Sequence, residues 1–150
     1  MRALSLIATA LVALAPAVPG HADTVVRACE GWEANARNLM MPPEIAVQSF
    51  ANGEVRAIGL DTSEPACCSA HLMVDFFVAT EPFPLCALVS GPNGQGFSGL
   101  RMAEMTARYD PATGLTLTLP AGRYDGMGSV MAPLHVTINR ATATVMAQHD

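Results

Sequence analysis

EIAVQSFANGEVRAIGL, residues 44–60, decides the fold class. Two runs with strand-like alternation flank Asn52-Gly53. Asn-Gly between such runs is the strongest short-range hairpin signal, because a type I′ turn needs two residues that tolerate positive φ. The period of two persists downstream. HLMVDFFVA, residues 71–79, places Leu72, Val74, Phe76 and Val78 on one face and His71, Met73, Asp75 and Phe77 on the other. LCALVS (85–90), LTLTL (115–119), LHVTI (134–138) and ATATVMA (141–147) have strand character too. GPNGQG (91–96) and DPATG (110–114) are turn signals, and PAGRYDGMGSVMAP (120–133) reads as a second long connection. About eight short strands predict a mainly β domain, a single antiparallel β-sandwich or small barrel. The predicted core is Leu72, Val74, Phe76, Val78, Leu115, Leu117, Leu119, Leu134, Val136 and Ile138.

Upstream of residue 44 the pattern changes. In CEGWEANARNLMM, residues 29–41, Trp32, Ala36, Leu39 and Met40 form a helical stripe that Pro42 and Pro43 end, so a short N-terminal helix is expected there. Earlier still, Arg2 precedes an uncharged apolar run from Leu4 to Ala15, and Pro16, Pro19 and Gly20 lead to the small residue Ala22. That is the pattern of a secretory signal peptide over residues 1–22, leaving a single β-rich exported domain over 23–150. The run is short of the roughly 20 residues a spanning helix needs, so no integral membrane segment is expected after signal removal.

Composition narrows the function classes. The chain is 51% hydrophobic and 14% charged, which fits a folded domain rather than a disordered one. It contains no lysine, which points to a GC-rich bacterial genome and removes Schiff-base and lysine-base chemistry. Beyond residue 22, seven arginines against thirteen acidic residues leave a net charge of −6. The arginines are scattered singly, so a nucleic-acid footprint is not expected. Localisation in the periplasm or the extracellular medium follows.

Four cysteines, Cys29, Cys67, Cys68 and Cys86, fall in the exported part. An even count in a short secreted chain predicts a framework of two disulfides. Neighbouring Cα atoms lie only about 3.8 Å apart, and adjacent residues on an extended chain project to opposite sides. Cys67 and Cys68 are therefore expected to take different partners among Cys29 and Cys86. Cys67-Cys68 lacks the Cys-x₂₋₄-Cys spacing of zinc sites and the Cys-x-x-Cys of thiol oxidoreductases.

Three histidines remain beyond residue 22. His149 is penultimate, where disorder is expected. His135 lies opposite the Leu134/Val136/Ile138 face and reads as solvent-facing. His71, Met73 and Asp75 share one strand face, and the pairs Met102/Met105 and Met127/Met131 suggest copper as one alternative, since thioethers and imidazoles suit that metal. No compact His/Met motif accompanies them, and methionine commonly fills irregular cores. No nucleophile elbow, phosphate loop or dinucleotide fingerprint is present.

The sequence thus reads as an exported, disulfide-stabilised, non-catalytic binding or envelope-associated domain with no cofactor. Its partner would be an unknown protein or envelope ligand, met by loops 91–96 and 120–133. The alternatives are a periplasmic copper-binding protein using His71 or His135 with methionines, and an enzyme of another kind. An exported small β domain with two bridges also resembles, in general architecture, bacterial periplasmic lysozyme inhibitors. That resemblance implies inhibition of an envelope-degrading enzyme such as lysozyme as a further alternative.

Overall fold

The computed structural model describes residues 24–150. The signal-peptide reading of 1–22 lies outside the described residues.

The alternating runs pair into nine strands among the described residues. β1 (Val25–Ala28), β2 (Val47–Phe50), β3 (Val55–Asp61), β4 (Ala70–Phe76) and β5 (Leu85–Ser90) form one antiparallel sheet in the order β1-β5-β4-β3-β2. β6 (Thr106–Asp110), β7 (Gly114–Tyr124), β8 (Ser129–Asn139) and β9 (Thr144–His149) form a second, in the order β6-β7-β8-β9. Of the two architectures predicted, the closed barrel is not formed: two open sheets bury one shared core. Val55, Leu72, Val74, Phe76 and Val89 from the first meet Leu117, Leu119, Leu134, Val136 and Ile138 from the second. Nine of the ten predicted core residues are buried, and the tenth, Leu115, packs partly buried at the margin.

Four local expectations are corrected. Residues 44–50 are not all strand: α1 (Pro43–Ala46) takes the first half and β2 the second. Pro43 at the first helical turn explains this, since its φ suits a helix start and its missing N–H is not needed there. The hairpin around Asn52-Gly53 exists, but Phe50 pairs with Val55, so the connection has four residues rather than two. Ala51, Asn52 and Gly53 all carry positive φ.

The connection at 120–133 is largely strand. Pro120 stands opposite Pro133 in the β7–β8 register. Their carbonyls point away from each other, Pro120 O accepting from Arg101 N and Pro133 O from Asp150 N. In an antiparallel pair, N–H and C=O of one residue face the same way. The two missing N–H groups therefore fall where neither strand requires one. Only residues 125–128 turn, held by Asp125 Oδ1 accepting from the amides of Met127 and Gly128.

The N-terminal helix is replaced by two 3₁₀ turns, Trp32–Ala34 and Ala36–Asn38. Asn35 breaks the run between them, with its side chain accepting from the Arg37 amide. Asn38 Nδ2 donates to the carbonyls of Trp32 and Glu33, satisfying groups that a continuous helix would have used. The segment then rejoins the first sheet, where Leu39 bridges Leu60 and Met40 N donates to Gly59 O.

Candidate functional site

The outer face of the first sheet is where polar chemistry collects. Alternation assigns His71, Met73 and Asp75 of β4 to this face, together with Leu60 of β3 and Cys86, Leu88 and Ser90 of β5. Leu60, His71, Leu88 and Ser90 are nonetheless buried. The covering chain is the 29–41 segment. It is anchored at its root by Cys29–Cys86, whose Cα atoms are 5.7 Å apart. The bond extends the β1–β5 register, in which Ala28 opposes Ala87.

The second bond joins Cys67 to Cys68, with Cα atoms 3.7 Å apart. This corrects the expectation that the neighbours take different partners. The extended-chain geometry behind that expectation does not hold: between β3 and β4 the chain is irregular, and Cys68 has φ 69°. The β1–β5 register makes Cys29 and Cys86 neighbours, which leaves Cys67 and Cys68 to each other.

The 91–96 loop packs onto this pair. Phe97 N donates to Ala70 O and Ala70 N to Phe97 O, at 2.6 and 3.0 Å. Gly96 must be glycine for that approach, because a Cβ there would sit 2.1 Å from the carbonyl oxygen of Cys68. The Cys67–Cys68 segment, the loop and the covering chain together enclose a cleft of about 360 Å³, with Trp32, Glu33, Glu64, His71 and Gln95 in its lining.

Its electrostatics follow from three groups. Arg27 Nη2 donates to Glu33 Oε1 at 2.6 Å, while Glu33 Oε2 is buried without a hydrogen-bond partner among the described residues. Burial is the largest single influence on the Glu33 carboxyl and would raise its pKa. The hydrogen bond from Arg27, a backbone hydrogen bond at Glu33 itself and the charges of Arg27 and His71 together outweigh it and hold the pKa below its ordinary value. Burial pushes the His71 imidazole below its ordinary value, Arg27 acting the same way against the pull of Glu33 and Asp61. His71 Nδ1 is hydrogen-bonded to Ser90 Oγ at 2.9 Å. A serine beside an imidazole has the composition of a nucleophile and base, but Ser90 is fully buried and does not line the cleft. Glu33 and Glu64 are thus the acidic residues on a cleft whose histidine has its pKa lowered.

The copper candidates are dispersed. Asp75 is engaged by Arg56, through Nε to Oδ1 at 2.8 Å and Nη2 to Oδ2 at 2.6 Å. His135 contacts Thr118 Oγ1 at 3.0 Å and Asp150 at 3.4 Å. Met40 and Met102 do converge, over Gly59, but no histidine joins them. Among the described residues no three His, Cys, Asp or Glu side chains form a set that could hold a metal ion. His149, expected to be disordered, is buried in β9 instead. Its register with Leu134 turns it to the inner face, its Nε2 meets Ala121 O at 3.0 Å, and its ring stands edge-on to Phe97 at 5.4 Å.

Loop 91–96 was legible as a site element. Trp32 reads from the sequence either as part of the helical stripe or, with Tyr109 and Tyr124, as an aromatic that could serve a binding face, whereas Glu33 carries no signal of its own. The available signal was that Trp32 is the sole tryptophan and neighbours an acid. No protein-family model, curated protein or solved structure matches the chain.

Proposed function

We propose that this protein is an exported, non-catalytic binding domain of the periplasm or extracellular medium that holds a basic group of a protein or envelope ligand in the cleft beside Cys67–Cys68. The observation that carries this reading is Trp32, 53% exposed over a cleft whose charged lining is acidic. A guanidinium or ammonium over an exposed indole gains about 0.5–1 kcal/mol, and more once desolvated. Glu64 supplies the opposite charge. Gly96, closed onto Cys68, gives the cleft a stiff wall, which reduces the ordering cost of binding.

Trp32 is its own reporter. Titration with an acetylated Gly-Arg-Gly amide should change tryptophan fluorescence saturably, and Glu64→Gln should weaken the response several-fold. An equal response to the Gly-Gln-Gly peptide would overturn the reading. Lysozyme in place of the peptide tests whether an envelope-degrading enzyme is the partner.

A further inference from the structure

Along β7 the inner face runs Leu115, Leu117, Leu119, Ala121 and then Arg123. Along β9 it runs Val145, Ala147 and then His149. Two polar side chains therefore occupy core-facing positions at one end of the second sheet. Both line a single cavity of about 220 Å³, which Phe97 and Tyr124 also border. This cavity lies on a different side of Cys68 and Gly96 from the acidic cleft, and its chemistry is opposite.

Arg123 Nε and Nη2 are buried with no hydrogen-bond partner among the described residues. Leaving a charged donor buried and unpaired is costly, and native structures rarely tolerate it without a ligand or water. The two orphaned atoms form one edge of the guanidinium. Arg56 uses that same edge, Nε and Nη2, to grip both oxygens of Asp75 in this molecule. A planar two-oxygen acceptor matches such a fork. His149 adds a third unsatisfied atom. Its Nε2 must be the donor to the Ala121 carbonyl, so its Nδ1 carries the lone pair as an acceptor, and Nδ1 has no partner among the described residues while the residue is only 4% exposed.

We propose that the cavity bounded by Arg123 and His149 is a carboxylate-binding site, in which the Nε/Nη2 edge of Arg123 holds both carboxylate oxygens and His149 Nδ1 accepts from a donor elsewhere on the ligand, such as a peptide N–H. This goes beyond the cleft reading and does not depend on it. The Arg123 edge is shielded from solvent, so a carboxylate reaches it only with a local shift of the Arg123 side chain or its surroundings. Free small acids and the C-terminus of a peptide present the same group.

The test follows the Arg Nε–H resonances of ¹⁵N-labelled protein during titration with sodium acetate at constant ionic strength. A saturable shift confined to Arg123 is expected. Half-saturation, read in both proteins from the backbone amide of Tyr124 in the cavity wall, should lie at least tenfold lower than in Arg123→Lys, which keeps the charge and loses the fork. A linear or absent shift, the same shift with chloride, or unchanged affinity in Arg123→Lys would overturn the assignment. If that variant does not fold, the wild-type acetate and chloride titrations decide alone. An acetylated Ala-Ala with a free carboxylate that binds more tightly than acetate identifies a peptide terminus, and equal binding identifies free acids. Equal binding of its amide overturns the site.

Discussion

At the residue scale, single atoms set the site. A methyl group at Gly96 would collide with backbone, which cannot swing aside as a side-chain end can. Gly99 has ordinary φ and open space around its Cβ position. Gly96→Ala should therefore cost about 3 kcal/mol in urea denaturation, at the upper end of overpacking effects, and Gly99→Ala at most about 0.5 kcal/mol. Equal costs would show that the loop does not close on Cys68. His71 gives a pH dependence whose sign is determined. Its folded pKa is below the ordinary value of about 6.5. As pH falls below that value the unfolded chain takes up a proton that the folded chain refuses, so stability present above it is lost toward the folded pKa. Glu33, also lowered, contributes stability above its ordinary value that is lost at lower pH still. Melting temperature should decline from about pH 6.5 downward, and His71→Asn should flatten the upper part of that decline while leaving the Glu33 part.

At the element scale, the two disulfides do different work. Cys29–Cys86 spans 57 residues and holds both β1 and the covering segment to β5. Closing a loop of that size stabilises by about 4 kcal/mol on the chain-entropy account. Cys67–Cys68 closes almost no loop, so its removal should cost far less in global stability. Paired Cys→Ser variants compared by denaturant melts check this. Peptide mapping of the non-reduced protein, cut between Cys29 and Cys67 and again between Cys68 and Cys86, should release Cys67 and Cys68 on one peptide unlinked to the other two. The same scale explains the lost helix. Periodicity in residues 29–41 placed Trp32 and Leu39 on a stripe, but the apolar surface they meet is a flat sheet face. Asn35, Asn38 and the Cys29 anchor hold the chain in short turns along it.

At the scale of the whole molecule, the two sheets stand or fall together because they share one core. Leu117, with no exposure, should cost about 2–5 kcal/mol as Leu117→Ala, and Leu115→Ala at the margin measurably less. Thermal melts of the two variants would expose a misplaced core if the order reversed. The alternation in 71–78, 115–119 and 134–138 determined the β class and the inward face by itself, because a period of two is a local property of the extended chain. The even cysteine count likewise pointed to two bridges from composition alone. Pairing was another matter: which cysteines met depended on β1 lying beside β5 and on the backbone at Cys68 leaving the extended conformation, and neither is encoded within a few residues. What covers the outer face of β4 was not legible for the same reason, since the covering segment comes from a distant part of the chain. Arg123 and His149 lay within reach of the alternation rule, two steps beyond Ala121 and Ala147. Only the closing of Phe97 and Tyr124 around them turned two inward polar residues into a cavity with unpaired polar atoms, because burial is a property of all the elements that meet at one place.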